Sequence, residues 1–173
     1  MPERRLTTLA NLFAAACVAA CAGTPARQPQ TEMLDSSVTR DLERLRNATA
    51  PYRDLAAAQA VGYPTATSTP PCLSSPIGAM GHHYVNRSHV DDKLDLEHPE
   101  ILLYAPGGDG KPKLLGVEYI IPYRILPPES QPPRIFGQNL KRSEELKLWY
   151  LHVWAWEQNA SGLFADWNPA VKC

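Results

Sequence analysis

Apolar positions early in the chain, Val38, Leu42, Leu45, Thr49, Tyr52 and Ala56, recur alternately four and three residues apart, and Leu55 widens the stripe. Arg40, Asp41, Glu43, Arg44 and Arg53 occupy the opposite face. That period predicts an amphipathic helix from Ser36 to about Val61. Ser36 or Ser37 is placed to cap its start, and Gly62 followed by Pro64 ends it. Pro51 removes the amide that would bond the carbonyl of Asn47 and crowds that turn, so either the helix kinks there or two helices meet at Thr49 or Ala50.

Beyond Val61 the pattern changes from helical to extended. Residues 62–80 are rich in Pro, Ser, Thr and Gly and read as loop, leading into a short strand, His82 to Asn86. Residues 87–100 carry Asp91, Asp92, Asp95, Glu97 and Glu100, but no EF-hand glycine or closing glutamate stands in register, so a solvated loop is expected. The apolar runs Glu100-Ile-Leu-Leu-Tyr-Ala-Pro106 and Lys113-Leu-Leu-Gly-Val-Glu-Tyr-Ile-Ile-Pro122 flank Gly107-Gly108-Asp109-Gly110-Lys111 and predict a β-hairpin. That glycine run lacks phosphate-loop order, and Pro112 stands where a helix would begin. A second Pro-rich connection, residues 123–145, holds Arg134-Ile-Phe-Gly137 as a short edge element. Leu146 to Trp156 is β-favouring and apolar on both faces, which predicts a central strand. The aromatic tail, residues 159–173, is expected to pack back. Together these elements describe an α+β domain in which a long or broken N-terminal helix packs on an antiparallel sheet of about four to five strands.

Composition and charge narrow the classes of function. With 173 residues, 44% of them hydrophobic, the chain suits one domain with a real core. A formal net charge of -1 with mixed signs leaves no basic field for nucleic acid and no polybasic run for anionic lipid. No G-x-S-x-G elbow and no dinucleotide fingerprint is present.

The N-terminus reads as processing signal. Arg4 and Arg5 precede an apolar run from Leu6 to Ala20 that is too short for a comfortable membrane span. Its end, Val18-Ala19-Ala20-Cys21, has the form of a bacterial lipobox, in which the cysteine receives acyl chains, palmitate among them, and becomes the first residue of the mature protein. Ala14-Ala15-Ala16-Cys17 is a second candidate, and ordinary cleavage near Ala20 is the alternative. Ala22 in place of aspartate favours the outer membrane in a Gram-negative host. The expected organisation is a lipoprotein signal peptide over residues 1–20, a flexible tether over 21–35 and a single domain over 36–173, anchored to the cell envelope through its lipid.

Of the four cysteines, Cys17 leaves with the signal and Cys21 is spent on the lipid. Cys72 and Cys173 remain, and two thiols in an oxidising compartment pair most simply as a disulfide. Closing about a hundred residues, it would contribute on the order of 4–5 kcal/mol in the chain-entropy model.

One constellation carries candidate chemistry. His82, His83, Glu118 and His152 all lie on predicted strands, and because strand side chains alternate faces, only one of the adjacent histidines can serve a given pocket. If that histidine, Glu118 and His152 converge, they form a two-His-one-carboxylate set suited to zinc or iron. The competing readings are a core His152 bonded to a carbonyl, and a Glu118 paired with Arg124 or Arg134. Trp149, Trp154, Trp156 and Trp167 are read first as core.

Several motifs in fixed order, Ala60-Val-Gly-Tyr63, Cys72, Met80-Gly-His-His-Tyr-Val-Asn86, Pro99-Glu-Ile-Leu-Leu-Tyr104, Leu115-Gly-Val-Glu-Tyr119, Leu151-His-Val-Trp-Ala-Trp156 and Gly162 to Cys173, give the chain a family look. Over roughly residues 50–173 it resembles a family of uncharacterised bacterial secreted or lipoprotein domains. The resemblance implies the domain boundaries and the Cys72–Cys173 pairing, and it carries over no catalytic residue. The function expected is an envelope protein that binds a small ligand or a metal ion; a metal-dependent enzyme and a structural interaction domain are the alternatives.

Overall fold

The computed structural model describes residues 1, 35–64, 72–108 and 110–173. The expected signal sequence beyond residue 1, Cys21 and most of the tether lie outside the described residues, as do residues 65–71 of the first loop and residue 109 of the hairpin turn. Leu34–Cys173 forms one compact unit. Among the described residues, no helix is long and apolar enough to cross a membrane.

Helix α1 spans Ser36–Thr49 and buries Val38, Leu42, Leu45 and Thr49, the apolar stripe read from the sequence. Its cap is Asp35 rather than Ser36 or Ser37: the Asp35 carboxylate accepts from the Ser37 amide at 2.7 Å. At Pro51 the helix tightens into a 3-10 turn, Ala50–Arg53, where the proline occupies an early position whose missing amide costs nothing. A short helix α2, Leu55–Ala60, follows, capped by Asp54. The N-terminal helix is therefore broken, and Pro51 is the cause.

Six antiparallel strands form the main sheet: β1 (Leu73–Ser75), β2 (Gly78–Val85), β3 (Ile101–Pro106), β4 (Pro112–Pro122), β7 (Lys141–Ser143) and β8 (Leu148–Val153). Their order is β1-β2-β3-β4-β8-β7. A separate two-stranded sheet pairs β5 (Arg134–Ile135) with β6 (Gln138–Asn139). The strand count exceeds the four or five expected. The extra strands β1 and β7 are three-residue edge pieces, too short to show a period of two, and β2 begins at Gly78, inside the stretch read as loop. The β3–β4 hairpin and the interior strand β8 stand where the sequence placed them.

Sheet pairing sorts the side chains onto two faces. On one, Leu102, Tyr104, Val117, Tyr119, Trp149 and Leu151 pack with the apolar stripe of α1. Two polar ties hold the helix there: Arg46 Nε donates to the Ala155 carbonyl at 2.7 Å, and Trp156 Nε1 donates to Thr49 Oγ1 at 3.0 Å. Buried tyrosines on this face donate their phenols to carbonyls outside the sheet, Tyr104 to Tyr52 of the 3-10 turn at 2.6 Å and Tyr119 to Leu96 at 2.7 Å. Burial raises both phenol pKa values, so they remain donors. The other face carries Ile101, Leu103 and Ile120, with Trp154 and the tail residue Val171 in the same apolar cluster. The tail does pack back: the Asn168 and Ala79 backbones bond reciprocally at 3.1 Å, and Cys173 closes a disulfide to Cys72 with a Cα–Cα distance of 5.7 Å.

Gly81 shows how tightly β2 is laid against β3. It has φ +91°, a conformation L side chains rarely adopt, and a Cβ there would meet the Tyr104 carbonyl oxygen at 2.6 Å. Gly81→Ala is expected to cost about 2–3 kcal/mol through backbone strain and displacement of β2. The fall in urea midpoint against wild type measures it, and an unchanged midpoint would contradict the close approach.

Candidate functional site

Strand register assembles the site. Ile101 of β3 stands opposite Glu118 of β4, and Glu118 stands opposite His152 of β8. On the other side of β3, His83 of β2 is paired with Leu103. Opposite residues of an antiparallel pair share a face, so His83, Glu118 and His152 all project from the face away from α1. Their ligand atoms lie within 4.8 Å of one another, and all three residues are buried. His83 Nε2 is 3.5 Å from Glu118 Oε2, and His152 Nε2 is 3.8 Å from Glu118 Oε1. The carboxylate thus stands between two imidazoles whose rings meet edge to face at 6.0 Å.

His82 does not join the cluster. It pairs with Tyr104, on the face that packs toward α1, as strand alternation requires. Glu118 likewise makes no ion pair with Arg124 or Arg134 among the described residues; Arg134 bonds instead to the Gly137 carbonyl at 2.9 Å. His152 is buried but does not bond a carbonyl: both its ring nitrogens, together with His83 Nδ1, lack a hydrogen-bond partner. Three orphaned imidazole nitrogens in one buried cluster are uncommon, since buried polar atoms are nearly always satisfied. A cation held between the two rings and the carboxylate would remove part of that deficit.

A second layer surrounds His152, and sequence reasoning did not single it out. Asp166, from the tail, sets Oδ1 3.6 Å from His152 Nδ1. The same oxygen accepts from Lys141 Nζ at 2.6 Å, and Tyr150 donates to Asp166 Oδ2 at 3.3 Å. Partial burial alone would raise the Asp166 carboxyl, but the hydrogen bond and charge of Lys141, with the His152 ring close by, overcome it and hold the group at about 2. An ionised carboxylate beside Nδ1 favours the proton on that nitrogen and turns the Nε2 lone pair toward Glu118. His83 meets the same requirement by another route. Burial lowers its pKa, outweighing the nearby Glu118 charge, so the ring stays neutral and able to ligate at physiological pH. Asp166 has no spacing relation to His152 in the sequence; only the returning tail brings the two together.

No protein-family model, curated protein or solved structure matches the chain. Fold and site together define an α+β domain with one disulfide and a buried His/Glu/His group whose geometry could hold a metal ion.

Proposed function

We propose that this protein is an exported, lipid-anchored envelope domain that holds a divalent transition metal, zinc or ferrous iron, on His83, Glu118 and His152. The observation that carries the metal reading is the convergence of these three side chains from three strands, with their ligand atoms within 4.8 Å and imidazole nitrogens left unsatisfied. Ligand atoms around a tetrahedral zinc stand about 3.3 Å apart, given metal–nitrogen distances of about 2.0–2.1 Å. The three ligand atoms, one from each residue, lie within 4.8 Å of one another, and small rotamer shifts would draw them in to that spacing. Asp166 beside His152 supplies the carboxylate–histidine arrangement that orients metal-bound imidazoles. Export and anchoring rest on the lipobox ending in Cys21, and the Cys72–Cys173 disulfide suits that compartment. A metal-dependent enzyme is the second reading, favoured by the ligand count: three protein ligands leave one tetrahedral position open.

Elemental analysis of the purified mature protein tests the metal. About one zinc or iron per chain is expected, falling below about a tenth in the near-isosteric Glu118→Gln variant, since carboxylate charge is required for a two-His-one-carboxylate site. Asp166→Asn is expected to keep the metal but weaken its affinity roughly 10- to 100-fold in a chelator competition. A chain that carries no metal, takes none up from zinc or ferrous iron, and unfolds at the same temperature as Glu118→Gln would leave a purely structural network. Membrane fractionation tests the anchor: Cys21→Ala should release the protein, and continued sedimentation with membranes would count against lipidation.

A further inference from the structure

The sheet face that carries the metal ligands continues into an open groove of about 570 Å³. On β2 and β4 one two-residue step leads from a ligand to a groove residue, and on β8 two steps do. Val85 lies two positions beyond His83, Ile120 two beyond Glu118, and Leu148 lies on β8 before His152, with Tyr150 between them. These three side chains form an apolar floor that begins about 7 Å from the ligands, one two-residue step of a strand. Leu146 stands on the wall at 62% exposure, one of the few large apolar side chains left to solvent among the described residues.

The rim is cationic. Arg87, Arg124 and Lys147 line the groove, and no carboxylate does. Arg87 and Arg124 make no side-chain hydrogen bond or ion pair among the described residues, and Lys147 has only an exposed 3.6 Å contact with Glu144. In a chain of net charge -1 this is not a general basic surface. Like charges gathered around an apolar floor repel one another until an anion is placed among them. Arginine forks match a carboxylate in two-pronged fashion, and the floor offers apolar area to whatever carries that group. The volume lies within the range of small-molecule sites.

We infer that the groove binds a small amphipathic carboxylate, its apolar body on Val85, Ile120 and Leu148 and its carboxylate at Arg87 and Arg124. The site does not depend on the metal, although it opens beside it.

Calorimetric titration of the mature protein with decanoate tests this. Saturable binding of one decanoate per chain is expected, about tenfold or more weaker for decanol, which has the same body without the charge, and weakened by a similar factor in Arg87→Gln/Arg124→Gln, since one charge-assisted hydrogen bond contributes at least that much. Both arginines are exposed, so the double variant is expected to fold with unchanged thermal midpoint and metal content. Glu118→Gln should bind decanoate as wild type does, so failure of the metal reading and failure of the groove are read separately. Absence of saturable binding, equal affinity for decanol, or no effect of the double variant would overturn the inference. Tenfold tighter binding of decyl phosphate than of decanoate would overturn the carboxylate assignment.

Discussion

Cys173→Ser is expected to lower the stability of the domain by about 4–5 kcal/mol. The bridge links residues 101 positions apart, so its loss releases nearly the whole domain to the unfolded ensemble's full chain entropy. The native state contributes as well. Cys72 follows the undescribed segment 65–71 and leads directly into β1, a three-residue edge strand with little burial of its own. At the other end, Val171 is buried two residues before Cys173, and Asn168 bridges to Ala79 of β2. The disulfide therefore ties the outer strand of the sheet to the tail that delivers Asp166 to His152. A domain of this size loses on the order of 10–20 °C of melting temperature for such a change. Calorimetry of the variant against the oxidised wild type measures it, and reduced wild type should match the variant. A shift under about 3 °C would mean that tail and edge strand hold without the bond, an outcome the loop-entropy argument does not permit.

The legible parts of this molecule were those with enough residues to display a period. Helix α1 shows its period directly, in buried side chains three and four residues apart, whereas the β3–β4 hairpin and β8 are long enough to read as apolar runs, and most of their residues are buried whichever face they take. Cap and edges were not legible in the same way. Asp35 caps α1 instead of the serines after it because its side chain reaches the Ser37 amide from outside the helix. Strands β1 and β7 owe their place to pairing with β2 and β8, a long-range property that three residues cannot announce.

Of the candidate site, the types of ligand were readable and their grouping was conditional. Alternation within β2 excluded either His82 or His83 in advance, and register against β3 settles it in favour of His83. That Glu118 lies opposite His152 follows from how β4 pairs with β8 across the long connection between them. Asp166 could have been suspected only as a carboxylate in a tail expected to pack back. Its partners Lys141 and Tyr150 come from an edge strand and an interior strand, a meeting no local pattern encodes.

Glu100→Gln is expected to abolish most of the loss of stability that the wild type suffers between mildly acidic and mildly alkaline pH. Glu100 is 1% exposed at the start of β3, and its Oε2 accepts from the Ile120 amide at 3.1 Å. The carboxylate stands in for a missing strand partner. Continuing the β3–β4 register would set Pro99 against Ile120, but the Pro99 carbonyl accepts from the Tyr63 phenol at 2.7 Å. Burial pushes the Glu100 pKa up to about 8, against the opposing pull of the backbone hydrogen bonds. Between its ordinary value of 4.5 and about 8, the folded protein keeps a proton that the unfolded chain has released. Stability is therefore full below that window and falls as pH rises through it. His83 runs the other way: burial lowers its pKa, so its contribution is full above 6.5 and is lost on acidification. From pH 5.5 to 8.5 the Glu100 effect amounts to roughly 3 kcal/mol at most, at 1.36 kcal/mol for each pH step through the window. Glutamine keeps the shape and the acceptor for Ile120 while removing the charge, so the difference between the two urea-midpoint profiles isolates this one group from the His83 contribution that both proteins share. Parallel profiles for wild type and variant would show that Glu100 is already ionised in the folded protein at neutral pH, with its charge met by the amide alone.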